Sequence, residues 1–245
     1  MERLTYGGNN RFPTWSSDSK SVVFQSDRNG DRGLFWQPVG GGEAAQLTKP
    51  DAGEAHEPES WYGDTLLFSV TKGSDVSLWM LSLKDKKPTP FGDVHSATRT
   101  GAVFSPDGRW VAYATTERGT TTIYVQPFPA IPGVKYHLLP RGGQPKHPVW
   151  SADSKTLFYN PGPGQFESVS VTTLPGFAFG NPEALPRPFP GAGPTVRRPY
   201  DITPDGGFVS AVAAGQSVSG RSAPPQIQVV LNWFEDVKTR LPSGK

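Results

Sequence analysis

Short apolar runs separated by polar turns recur along the chain. Residues 103–113, VFSPDGRWVAY, place a Ser-Pro-Asp-Gly turn between two such runs, and related stretches begin at Thr14, Ser60, Val149 and Asp201. In each stretch an apolar residue stands three positions before an aspartate, and the turn leads into SVVFQS, TLLFSV, WVAYAT, TLFYN or FVSAVA. Because Asp and Gly favour tight turns, this pattern predicts antiparallel strands joined by hairpins.

The turns repeat with a nearly constant period. Their aspartates lie 43 to 52 residues apart and are Asp18, Asp64, Asp107, Asp153 and Asp205. That period is typical of four-stranded propeller blades. Third strands are expected at LFWQPV, SLWMLSL, TIYVQPF and QIQVVLNWF. The apolar residues that end the first strands are expected in the core; they are Trp15, Trp61, Phe104, Trp150 and Ile202. The sequence therefore predicts an all-β fold, a β-propeller of five four-stranded blades.

The two ends of the chain predict how the ring closes. The first blade ends in AAQLT, whereas the fifth unit has no fourth strand after QIQVVLNWF. We expect residues 2–5 to supply that strand beside residues 226–234, because this pairing would join the first and last blades and remove two exposed edges. Residues 1–234 then form a single propeller domain, followed by a C-terminal tail, 235–245. The alternative is that the chain is part of a larger, six-bladed propeller.

Composition narrows the functional classes. The chain contains 28 glycines and 26 prolines, and 11% of its residues are aromatic, which favours a folded protein rich in turns. A net charge of +2, without a polybasic run, gives no support for nucleic-acid binding. The absence of cysteine excludes disulfides, thiolate catalysis and cysteine-bound zinc. No apolar run is long enough to predict a membrane span, and the N-terminus does not resemble a signal peptide.

Motifs for catalysis or metal binding are incomplete. The segment GQSVS at Gly215 lacks the second glycine of a nucleophile elbow. Asp27, Asn29 and Asp31 alternate as calcium ligands would, but Pro38 stands where an EF-hand requires glutamate, so a hairpin turn is the better interpretation. The four histidines show no metal-binding spacing. We therefore predict no catalytic residue, no metal site and no cofactor.

The repeat resembles a known family. The unit W-S-P-D-G-x-x-hydrophobic-A-F/Y, followed by S-D-R-x-G and G-G-x-x-x-Q-L-T, is similar to the TolB-type, WD40-like (PD40) β-propeller repeat; residues 12–48 match almost throughout. The segment QIQVVLNWFEDVKTRLP resembles the end of propellers attached to bacterial eukaryotic-like serine/threonine kinases, although no kinase motif is present. The resemblance implies a bacterial, extracytoplasmic (periplasmic) sensing or scaffolding module. That family usually has six blades.

The repeat also predicts a basic channel mouth. In such propellers each blade begins at the axis, so residues just before the first strands are expected to meet there. Six to eight positions before the aspartates, five residues are Lys or Arg and one is acidic. The candidate ligand-binding residues are Arg11, His56, Glu57, Arg99, Lys146, His147, Arg197 and Arg198. Converging cations would favour a carboxylate, a phosphate or an acidic peptide. Alternatively, these side chains point into solvent or pair with acids such as Asp51 and Glu54.

Two functions are compatible with these features. The first is a non-catalytic binding, sensing or scaffold module that takes a protein segment or an anionic ligand at the basic channel mouth. The alternative is an enzyme, either a channel-based hydrolase or lyase or the propeller portion of a peptidase, since propellers host such chemistry. The incomplete catalytic motifs favour the binding module, with a protein, a peptide or a small anion as its partner and neither nucleic acid nor direct membrane insertion.

Overall fold

Strands in five antiparallel sheets make up the regular structure of the chain. The structure is a computed structural model that describes residues 4–138, 143–162, 164–186, 197–203 and 205–210. Within these ranges no helix occurs, and no membrane-spanning helix is found. The all-β prediction is confirmed.

The sheets follow the chain, so that consecutive strands pair as neighbours everywhere except at the last strand of sheet four. Sheet one contains β1 (Asn10–Trp15), β2 (Ser21–Ser26), β3 (Gly33–Pro38) and β4 (Ala45–Gln46). Sheet two contains β5 (Glu54–Tyr62), β6 (Thr65–Lys72), β7 (Asp75–Ser82) and β8 (Lys87–Ser96). Sheet three contains β9 (Val103–Phe104), β10 (Trp110–Glu117), β11 (Thr120–Pro127) and β12 (Tyr136–His137).

Sheet four departs from the four-stranded pattern, and two strands of sheet five lie within the described residues. Sheet four contains β13 (Lys146–Trp150), β14 (Thr156–Asn160), β15 (Glu167–Thr172), β16 (Ala178–Phe179) and β17 (Glu183–Ala184), and both β16 and β17 pair with β15. Sheet five contains β18 (Tyr200–Ile202) and β19 (Phe208–Ser210). The predicted strand at 226–234 and the tail lie outside the described residues, as do residues 2 and 3 of the predicted N-terminal strand. Blade number and closure therefore stay predictions.

A hydroxyl side chain and an aspartate hold four of the five repeated turns together. In sheet four Ser151 Oγ donates to Asp153 Oδ1 at 2.6 Å and accepts from the backbone N–H of Thr156 at 2.9 Å. Asp153 Oδ1 also accepts from the N–H of Lys155 at 3.0 Å. The hydrogen bond from Ser151 lowers the pKa of Asp153. Equivalent hydroxyl–carboxylate pairs occur at Ser16/Asp18, Ser105/Asp107 and Thr203/Asp205. The repeated motif thus satisfies turn donors that the hairpin itself leaves unpaired.

The turn of sheet two is built differently. Tyr62 stands where the other turns have Ser or Thr, and its hydroxyl donates to the carbonyl of Asp107 in the next turn at 3.3 Å. Its ring lies so close to Gly108 that a Cβ there would be 2.0 Å from Tyr62 Cε1. Gly108 also has φ +69°, a conformation that disfavours a side chain. This turn therefore joins sheets two and three.

Apolar clusters fill the spaces between consecutive sheets. Val23 and Leu34 of sheet one pack with Leu66, Phe68 and Leu81 of sheet two. Corresponding clusters join sheets two and three, three and four, and four and five. Most of the core therefore lies between sheet faces, as in sheets that stack in sequence around an axis.

The predicted burial of the first-strand residues holds only in part. Phe104 and Trp150 are buried, with 6% and 2% of their surface exposed. Trp61 and Ile202 are partly buried at the edges of clusters. For Trp15 the prediction is wrong, because 51% of its surface is exposed and it lies in none of the clusters described above. Its side chain lines a cavity instead.

Candidate functional site

The first strands of the five sheets, with the residues that precede them, surround one cavity of about 940 Å³. Its lining combines arginine side chains with aromatic and aliphatic ones. The lining residues are those at 12–15, 59–61, 101–103 and 197–201, together with Arg99, His147, Val209 and Ser210. The cavity is thus formed where the chain repeatedly returns to the axis.

β-Bulges determine which side chains reach the cavity. In β1 the pairing with β2 shifts between Arg11 and Thr14, and Phe12 adopts φ 57°. In β13 the pairing shifts between Lys146 and Val149, and His147 also adopts φ 57°. Both residues stand six positions before their turn aspartate and line the cavity. Positive φ is unfavourable for these residue types, so the surrounding sheets must stabilise the bulges.

Two arginines contact the ring of Phe12. The guanidinium carbon of Arg99 lies 4.7 Å from the ring centroid, and that of Arg197 lies 4.8 Å from it. Burial lowers the pKa of Arg99, and the charge of Arg197 lowers it further. A guanidinium nevertheless stays protonated at neutral pH. Cation–π contact therefore places two positive charges beside one aromatic ring.

Each of these arginines has a carboxylate partner in β5. Arg99 forms an ion pair with Glu57, and Arg197 Nη2 lies 3.7 Å from Glu59 Oε2. The guanidinium of Arg197 also donates to the carbonyl of Pro58. Arg197 precedes sheet five, so these contacts connect the last described sheet to sheet two. The positive charge beside Phe12 is largely balanced inside the protein.

Arg198 and His147 hold the entry into sheet five. Arg198 donates to the carbonyls of Tyr200 and Pro148 at 2.8 and 2.7 Å, and its Nη2 lies 3.3 Å from Asp201 Oδ1. The hydroxyl of Tyr200 donates to the carbonyl of His147 at 2.5 Å. These contacts indicate that Arg198 stabilises the junction of sheets four and five in addition to lining the cavity.

Four predicted site residues do not line the cavity. Arg11 is exposed on β1. His56 is buried, its Nδ1 lies 2.8 Å from Thr48 Oγ1, and burial lowers its pKa. Lys146 is buried at the start of β13, and burial lowers its pKa too. The structure thus places Arg99, His147, Arg197 and Arg198 around the cavity, with Glu57 joined to it through Arg99. Ligand binding by all eight residues stays a prediction.

Several lining residues are not among those that the sequence pattern predicts. Glu59 stands five positions before its turn aspartate, one position beyond the window from which the candidates were taken. Phe12 was inside that window, but no charge marked it as a ligand contact. Trp15 and Trp61 were assigned to the core. A search for aromatic residues beside the basic positions would have found Phe12, because guanidinium groups commonly pack on aromatic rings.

Groups of three or more His, Asp or Glu side chains that could hold a metal ion are not found in the described ranges. The segment at 27–31 forms the predicted hairpin turn between β2 and β3, in which Asp27 accepts hydrogen bonds from the backbone and side chain of Asn9, both at 2.7 Å.

Comparison with known proteins identifies the fold. No family model matches the chain, and no curated protein matches its sequence. TolB from Acinetobacter baumannii superposes with a TM-score of 0.63 at 18% identity, over 81% of this chain and 47% of that one. A putative TolB from Agrobacterium tumefaciens gives 0.64 at 16% identity, over 84% and 74%. The chain has a TolB-like β-propeller fold. It spans about half the length of the Acinetobacter TolB.

An enzyme of known structure also resembles this chain, with a lower TM-score. A prolyl endopeptidase superposes with a TM-score of 0.52 at 16% identity, over 72% of this chain and 30% of the enzyme. Such identities establish a shared fold and nothing about chemistry. The peptidase alternative therefore stays a prediction.

Proposed function

We propose that this chain is a non-catalytic binding module that takes an acidic segment of a partner protein in its central cavity. The observation that carries the proposal is the pairing of Arg99 and Arg197 on Phe12 in a cavity with exposed apolar walls. The TolB-like fold supports an extracytoplasmic, periplasmic setting for such a module.

The cavity has the two surfaces that a peptide needs. Trp15 and Val209 line it with 51% and 52% of their surfaces exposed, so apolar side chains of a partner could lose water against them. Arg99 is 30% exposed and presents a planar set of donors that suits a carboxylate. Aromatic residues and arginine are also the types that dominate binding energy at protein interfaces.

We further propose that residues 1–234 form a single ring of five blades closed by the N-terminal segment. Leu4 supports this proposal, because it packs on Val22, Phe24 and Phe35. Side chains alternate along a strand, and Val23 faces sheet two. Leu4 therefore covers the face of sheet one that is turned away from sheet two, where a fifth blade would lie.

Binding is tested with a dye-labelled peptide of alternating glutamate and leucine, followed by fluorescence anisotropy. The double variant Arg99→Gln/Glu57→Gln removes the ion pair at the cavity without changing net charge. We expect it to weaken binding by about tenfold or more, because the ligand loses a charge-assisted hydrogen bond. A peptide with lysine in place of glutamate should bind far more weakly than the glutamate peptide.

The matched control is Lys72→Gln/Glu54→Gln. It removes another ion pair of sheet two, with an N–O distance of 3.2 Å, that does not line the cavity. Affinity should stay within about twofold of the unaltered protein. Equal binding of the two peptides, or equal losses in the two double variants, would contradict the proposed function.

A further inference from the structure

The two ion pairs beside Phe12 differ in how firmly their carboxylates are held. Glu59 is 6% exposed; its Oε1 accepts from Ser69 and from Thr100, the latter at 3.3 Å, while its Oε2 faces Arg197. Three groups from three different elements therefore fix this carboxylate. It is part of the structure that supports the cavity.

Glu57 is held much less firmly. Its side chain is 12% exposed, and in the described part of the chain the ion pair with Arg99 is its one hydrogen-bonding or ionic contact. Arg99 lines the cavity, whereas Glu57 does not. Glu57 therefore approaches from behind the guanidinium that a ligand in the cavity would meet.

We propose that Glu57 is an internal competitor that occupies Arg99 in place of a ligand carboxylate and thereby sets the affinity of the site. The inference rests on the proposed function, since it concerns the same cavity and the same class of acidic ligand. An arriving carboxylate must share or replace the Glu57 contact, and it meets the negative charge of Glu57 close by. Both effects weaken binding relative to an arginine without a partner.

Glu59 should respond differently from Glu57, because Glu59 accepts hydrogen bonds from Ser69 and Thr100. Glu59→Gln removes the charge that faces Arg197, and the amide has one accepting oxygen to offer to Arg197, Ser69 and Thr100 instead of two. Because these groups are buried, the loss should appear in stability. Because Glu59 also lines the cavity beside Arg197, this variant serves as the comparison for stability and not for affinity.

The experiment compares Glu57→Gln with two variants of equal charge change. Glu59→Gln alters the neighbouring fixed pair, and Glu54→Gln alters the same strand at its other end, where the carboxylate pairs with Lys72 outside the cavity. Affinity for the glutamate–leucine peptide is measured by anisotropy at low and high salt, and thermal melting is recorded for every variant. Glu57→Ser gives a second measurement if Glu57→Gln is poorly folded.

We expect Glu57→Gln to bind the peptide about tenfold more tightly at low salt, with the gain shrinking as salt screens the charges. Glu54→Gln should change affinity by less than about twofold, and Glu59→Gln should lower the melting temperature. Equal tightening in Glu57→Gln and Glu54→Gln, or none in Glu57→Gln, would overturn the competitor role. The proposed function fails separately, if neither the unaltered protein nor Glu57→Gln prefers glutamate over lysine peptides.

Discussion

Trp15 and Trp150 occupy the same position of the repeat in sheets one and four, yet their surroundings differ. Each stands three residues before a turn aspartate at the end of a first strand. Trp150 is 2% exposed within the cluster between sheets three and four, whereas Trp15 is 51% exposed. Sheet four has packed sheets on both sides, while sheet one has a packed sheet on one side within the described ranges. Burial at this position is therefore set by neighbouring sheets and not by the repeat.

The largest expected effect comes from a test of ring closure, because a closed ring would give sheet one a second neighbouring sheet. If residues 2–5 pair beside residues 226–234, a cysteine at Thr5 should form a disulfide with a cysteine placed in turn at Gln228, Val229, Val230 and Leu231. Only alternate positions should react well, because strand partners face one side in steps of two. The chain has no native cysteine, so the product is unambiguous.

A correctly placed bridge would close a very long loop and could raise the free energy of unfolding by up to about 5 kcal/mol. Non-reducing electrophoresis measures disulfide formation, and denaturant unfolding measures the change in the free energy of unfolding. Failure at all four positions would leave sheet one without the proposed neighbour.

The two tryptophans themselves give the next largest effect. Trp150→Ala should lower the free energy of unfolding by about 3–5 kcal/mol, because it leaves a large cavity between sheets three and four. Trp15→Ala should cost less than about 1 kcal/mol. Chemical denaturation of both variants checks the difference. Trp150→Phe refines this comparison, because the buried Nε1 of Trp150 has no hydrogen-bond partner among the described residues and its removal sacrifices no hydrogen bond. Equal losses for the two alanine variants would show that Trp15 is buried in solution.

The turn serines should show the smallest effect and no difference between the sheets. Ser16 and Ser151 make the same contacts, with 2.6 Å to the turn aspartate and 2.9 Å to the fifth following N–H. Ser16→Ala and Ser151→Ala should each cost about 1 kcal/mol, because the interaction is local. A cost confined to one sheet would mean that the turns depend on their neighbours.

The same turns predict a pH dependence. Hydrogen bonds from Ser16 and Ser151 lower the pKa values of Asp18 and Asp153 below 3.8. A carboxyl with a lowered pKa in the folded state stabilises the protein above about pH 4, and this contribution is lost as the pH falls through the folded-state value. The serine variants should therefore lose stability less steeply in acid than the unaltered protein.

Local parts of this fold could be predicted from the sequence because their causes lie within a few residues. The segments SVVFQS and TLFYN coincide with β2 and β14, since alternation and turn residues determine them. Counting back from the turn aspartates selected four residues that do not line the cavity, but Arg99, His147, Arg197 and Arg198, which do, were located in this way. Their partners were not, because Arg197 contacts Pro58 and Glu59 from more than a hundred positions away in the chain. Spacing within a repeat predicts which residues of different sheets lie at the same level, but it does not predict which of them contact one another.

The hydrogen bond from Arg197 to the Pro58 carbonyl affects whether a polypeptide could pass through the cavity. It lays a side chain from the last described sheet across to the second, with the ring of Phe12 and the head of Arg99 beside it. A bound polypeptide would meet the Arg197 side chain and would have to turn back, because it could not pass through the cavity. A bound segment would then enter and leave the cavity from the same side, so the two sides would serve different purposes.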